Sequence, residues 1–168
     1  MAIVILAPAT PAPRLTLTRL SAAALGGGAV DLVYATVVGA ASGRSFQRVW
    51  QGVASGWLGR SALDLGWASA ALGLATHFGI ALAMAGGLAL VGAKAPGVYR
   101  RPWVFGLLYG LVLYAVMYGI VLPLRWPEAF PRWSGFVSLA DVLAHVGVGL
   151  AMMFILRGRV RAEWARAE

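Results

Sequence analysis

The sequence predicts an all-α fold, an integral-membrane bundle of four helices, and three observations predict it. First, 60% of the 168 residues are hydrophobic, mean hydropathy is +0.78, and only 12% are charged. That charged share is about half the usual value for a soluble domain. Second, four long apolar runs alternate with short stretches that collect the arginines, tryptophans and prolines. Third, a phrase in the second run returns in the fourth, which predicts two related helical hairpins.

Residues 1–20 are expected to form a mobile tail. Their apolar start has no basic stretch before it and is broken by Pro8, Pro11 and Pro13, unlike a signal peptide. The first span is placed at 21–43, with the triplet Gly26, Gly27, Gly28 allowing a neighbouring backbone to come close. Asp31 lies near its midpoint. Between 44 and 60 the chain turns polar, yet Phe46, Val49, Trp50 and Val53 recur at helical spacing, which predicts a short interfacial helix. Trp50, Trp57 and Trp67 are expected to form a belt at headgroup depth.

The second span, 63–91, exceeds the roughly 20 residues needed to cross about 30 Å of hydrocarbon. Gly66, Gly73, Gly79 and Gly86 follow a near-heptad spacing that predicts one close-packing face. A basic loop with Pro96, Gly97, Arg100 and Arg101 leads to Pro102, well suited to the first turn of a helix. The third span, 103–124, carries a GxxxG step at Gly106 and Gly110, and Tyr114 and Tyr118 share a face. After a loop with Trp126 and Trp133 as interface anchors, the fourth span runs from 136 to 156. Residues 157–168 form a basic tail.

The first tail, the middle loop and the last tail hold nine basic residues, and the two intervening loops hold five. This bias predicts cytoplasmic termini. Helices two and four then run the same way, so a duplicated hairpin implies a pseudo-twofold axis along the membrane normal. The repeated phrase is His77-Phe78-Gly79-Ile80-Ala81-Leu82-Ala83-Met84 against His145-Val146-Gly147-Val148-Gly149-Leu150-Ala151-Met152. These are the chain's two histidines.

Charged groups within a span are costly, about 2.5–3.5 kcal/mol for Asp at the helix centre. Asp31, His77 and His145 lie at comparable depth, Asp141 is one turn before His145, and Tyr34 is one turn from Asp31. These five residues are expected to form one interior cluster. Such a cluster can simply tie helices together, or it can handle protons or a small solute. An alternative is haem b held by His77 and His145, with Gly73 and Gly149 clearing room for the macrocycle. A second alternative is an assembly or scaffold protein that uses its small-residue faces.

No cysteine is present, so disulfides and thiolate metal sites are excluded. The net charge of +8 sits in loops and tails, where it suits anionic phospholipid headgroups rather than nucleic acid. No nucleophile elbow, phosphate loop or HExxH occurs, so no enzyme is expected. The expected partners are the lipid bilayer, its headgroups and a further copy of the chain.

The stretch Val53-Ala54-Ser55-Gly56-Trp57-Leu58-Gly59-Arg60, residues 71–85 around His77, residues 106–124 and the helix around His145 resemble the YagU family of small bacterial inner-membrane proteins. The resemblance covers most of 49–154. It implies a bacterial inner membrane and a link to acid or envelope stress, without an established reaction. Where the family pattern has a polar residue such as Asn after Met117, this chain has Tyr118.

Overall fold

The computed structural model of the chain describes residues 16–158, and the regular structure there is helical. In order come α1 (Leu17–Ala41), α2 (Phe46–Leu58), α3 (Gly66–Lys94), α4 (Pro102–Val116), α5 (Leu122–Arg125) and α6 (Phe136–Arg157). A π-helical turn, Met117–Val121, joins α4 to α5 in one rod, Pro102–Arg125. That rod, α1, α3 and α6 are each long and apolar enough to cross a membrane. The expected tails lie outside the described residues over 1–15 and 159–168. The first helix begins at Leu17, four residues earlier than expected, because the Thr16 side chain accepts from the Arg19 amide and caps it.

The helices pack in the order α4, α6, α1, α3, α2. Glycines set the distances, because a missing side chain lets two helix backbones approach closely. A Cβ at Gly110 would strike the His145 carbonyl, and one at Gly149 would strike the Gly106 carbonyl and the Gly110 backbone. On α1, Gly26 and Gly27 lie against Ile155 and Met152, while Gly28 lies against Phe78 and Ala81. The main core, which includes Ala23, Ala85, Leu88, Met152 and Leu156, fills one end of the bundle. At that end Tyr99 is fully buried over Gly92. Burial pushes its phenol pKa upward, with Arg19 pulling the other way.

Three expectations are corrected. A pseudo-twofold would repeat the α1–α6 interface between α3 and α4. Instead, α1 and α6 pack along their length, whereas α3 and α4 meet where the Tyr109 hydroxyl donates to the Met84 carbonyl. Gly66 starts α3 with φ +58°, where a side chain would be strained, and it lies against Gln47 and Gln51 of α2. Gly79 and Gly86 face open space, so the heptad spacing does not mark one contact stripe.

The third correction concerns Trp50, on the short helix α2, which packs closely on α3. Phe46 lies beside Trp67, Gln51 Nε2 donates to the Gly66 carbonyl (3.1 Å), and Trp57 Nε1 donates to the Thr76 hydroxyl (2.9 Å). The two helices therefore run in the same sense. Gly59, with φ +62°, ends α2, and the Gly59–Leu63 turn brings the chain back to Arg48, whose Nη1 donates to the Leu63 carbonyl (2.8 Å). Trp50 is 1% exposed and is no belt anchor. The missing Cβ of Gly73 lets the Trp50 carbonyl seat directly on α3.

Candidate functional site

Helices α1 and α6 each offer one carboxyl to the site, and α3 and the π turn add a histidine and a tyrosine. On α1, Asp31 and Tyr34 lie one turn apart and share a face. On α3, the His77 imidazole places Nε2 2.9 Å from the Gly28 carbonyl and Nδ1 3.7 Å from an Asp31 carboxylate oxygen. With the proton on Nε2, the ring donates to the carbonyl and turns Nδ1 toward Asp31. The Trp50 and Phe78 rings flank it, each with its centroid 5.0 Å away.

On α6, Asp141 accepts the Tyr34 hydroxyl at 2.7 Å, and Tyr118 of the π turn lies beside the same stretch of α6. His145, 8% exposed, directs Nδ1 to the Asp141 backbone carbonyl one turn back, at 2.9 Å. Its ring meets Tyr114 and Tyr118 edge-on, with centroids 5.8 and 5.7 Å away, and those two phenols stack at 4.6 Å.

The result is a row rather than a single knot. It runs from His77 through Asp31 to Tyr34 and on to Asp141, with His145 and Tyr118 packed alongside. The five sequence-derived residues fall into two contacts, Asp31 with His77 and Tyr34 with Asp141, joined along α1. His145 does not touch Asp31's partner. It reaches the row through the backbone of Asp141 and the ring of Tyr118.

The geometry also bears on the haem alternative. His77 is engaged through both nitrogens and flanked by Trp50 and Phe78, while His145 is enclosed by Tyr114 and Tyr118, so the two rings do not face one gap. The clearances expected at Gly73 and Gly149 are occupied by the Trp50 carbonyl and by the α4 backbone. Small residues made room for neighbouring helices, not for a macrocycle.

Sequence reasoning missed one participant, Trp50; the phenols of Tyr114 and Tyr118 were expected to add hydroxyls to the interior from the third span. Trp50 packs edge-on against His77, and its period-matched place on α2 was the available signal. Tyr118 lies on the π turn and packs edge-on against His145; π turns inserted in α-helices recur at functional sites. Tyr118 also lines a cavity of about 450 Å³ with Tyr114, Pro131, Arg132 and Trp133. The row thus opens at the end of the bundle that holds the α5–α6 loop. Beyond His77, the apolar core of Ala81, Ala85 and Met152 closes it.

No protein-family model, curated protein or solved structure matches the chain.

Proposed function

We propose that the chain is a four-span integral membrane protein, not an enzyme, whose interior row both ties the bundle together and exchanges protons through the Tyr118 mouth. The observation that supports this reading is the Tyr34–Asp141 hydrogen bond set one helical turn from the Asp31–His77 pair. Two carboxyls, an imidazole and the Tyr34 phenol stand in sequence, with the Tyr118 phenol close by, each able to hold or pass a proton. The tie is the same set of contacts seen mechanically: α1 is held to α3 through Asp31 and to α6 through Tyr34.

Because the row ends against an apolar core, the expected signal is local protonation, not steady flux. Infrared difference spectra of the protein in vesicles should show a carboxyl band that responds to pH. Asp141→Asn should remove most of it and Asp31→Asn part of it. A band unchanged in both variants would leave the row with the structural role alone.

We further propose a bacterial inner-membrane location, both termini cytoplasmic, and kinship with the YagU family, supported by the distribution of basic residues and the shared phrases. The two His-x-Gly phrases would then be traces of a duplicated hairpin whose copies have since packed differently. The bilayer, including anionic headgroups around the basic loops, is the principal partner. Since the chain has no cysteine, single Gly97→Cys and Glu128→Cys variants report topology directly. Both positions are exposed. On intact cells a membrane-impermeant maleimide should label position 128 and spare 97. The reverse pattern would invert the orientation, and labelling of both would contradict the four-span reading.

A further inference from the structure

A second polar site lies apart from the row, where α1 ends and α3 begins. The α1–α2 turn, the first turns of α2 and the return segment before α3 border an open surface cavity of about 630 Å³. Arg44, Gln47, Arg48, Gln51 and Asp64 line it. Its walls are held in place. Arg48 Nη1 is fixed by the Leu63 carbonyl, and Gln51, 4% exposed, donates to the Gly66 carbonyl and the Ser69 hydroxyl. Ser45 caps α2 by accepting from the Arg48 amide at 3.2 Å, and the first turn of that helix carries no acidic residue.

The charges across this cavity are unusual in their arrangement. Arg44 and Asp64 have opposite sign and line the same space, yet they do not pair with one another. A ligand with a single charge would satisfy one of them and repel the other. A small zwitterion satisfies both: an anionic end with the Arg44 and Arg48 guanidiniums, and an ammonium end with the Asp64 carboxylate. The cavity lies at the ends of two spans, which on the four-span reading is headgroup depth, and Trp67 is exposed on the adjoining first turn of α3.

We propose that this cavity binds a phosphoethanolamine group, with the phosphate toward Arg44 and Arg48 and the ammonium toward Asp64. The chemistry is shared by a phosphatidylethanolamine headgroup and by free phosphoethanolamine. The placement at headgroup depth rests on the membrane reading; the charge complementarity does not.

Native mass spectrometry of the full chain in mild detergent tests the proposal, with phosphatidylethanolamine, phosphatidylglycerol and phosphatidylcholine supplied in equal amounts. Phosphatidylethanolamine should be retained over both others, since phosphatidylglycerol lacks the ammonium and the choline group has no N–H to donate. Asp64→Asn should reduce that preference about two- to fivefold, the range of one solvent-exposed ion pair. Arg44→Gln should weaken phosphatidylethanolamine and phosphatidylglycerol by a similar factor. Both side chains are exposed, so neither variant should change the helical circular dichroism. Equal retention of the three lipids, or a preference unchanged in both variants, would overturn the proposal. Displacement of the lipid by soluble O-phosphoethanolamine would identify the free group as a sufficient ligand, and retention against it would identify the lipid as the source. Failure here leaves the infrared band of Asp141 untouched, so the two readings stand or fall separately.

Discussion

Gly149→Val is expected to force α6 away from α4 and to cost about 3 kcal/mol, the upper part of the usual range for overpacking a closed interior. The reason is what a side chain would meet. At Gly149 the first carbon would fall on the Gly106 carbonyl and the Gly110 backbone. These are main-chain atoms of a helix, which cannot turn aside as the tip of a flexible side chain can. The cost should therefore appear as separation of two helices rather than as local repacking. Separation would also disturb the ring contacts of Tyr114 and Tyr118 with His145, because α4 and the π turn carry those phenols. Denaturant titration in detergent, followed by circular dichroism, measures the loss. Gly79→Ala is the matched control: no atom lies within 4 Å of its Cβ position, and alanine stabilises a helix over glycine by roughly 0.5–1 kcal/mol. If Gly149→Val were as stable as Gly79→Ala, the close α4–α6 approach would be wrong.

Trp50→Ala should cost about 3–5 kcal/mol, as truncation of a buried tryptophan usually does. Trp50 is 1% exposed, sits at the centre of the smaller core with Val49 and Ala70, and packs edge-on against His77. Its removal should loosen α2 from α3 and open His77 to water. Because the chain has only two histidines, ring proton resonances separate a local effect from a general one. The His77 signals should shift strongly, while those of His145, enclosed by Tyr114 and Tyr118 elsewhere in the bundle, should hold. Equal shifts at both rings would mean that α2 is not a private cover for His77. Trp50→Phe, which keeps an aromatic ring in the same place, should recover much of the stability.

Much of the helical plan was readable along the chain because apolar spans are a local property. The fourth run was placed at 136–156, and α6 occupies Phe136–Arg157. The third was placed at 103–124, and the helical rod runs Pro102–Arg125. Errors came where a local signal has two physical meanings. Gly66 and Gly73 look alike in a glycine spacing, yet one supplies a positive φ at a helix start and the other a backbone contact. Trp50, Trp57 and Trp67 look alike as interface tryptophans, yet Trp50 is buried while the other two are exposed.

The polar residues divide in the same way. That Asp31, Tyr34, Asp141 and His77 must find interior partners followed from the cost of leaving such groups in an apolar setting, which is a property of each side chain alone. Which partner each one found did not. The pairing of Tyr34 with Asp141 across 107 residues depends on α1 lying along α6, and Tyr118 meets His145 from a single π turn. The repeated histidine phrase illustrates the limit: the same words occur on α3 and α6, but one histidine meets Gly28 and Trp50 and the other meets two tyrosines. The sequence by itself determined the all-helical plan, the four apolar lengths and the set of polar residues that needed partners. Only the tertiary structure decided the neighbours, because helix packing depends on which backbones can approach, and that is a property of two surfaces together.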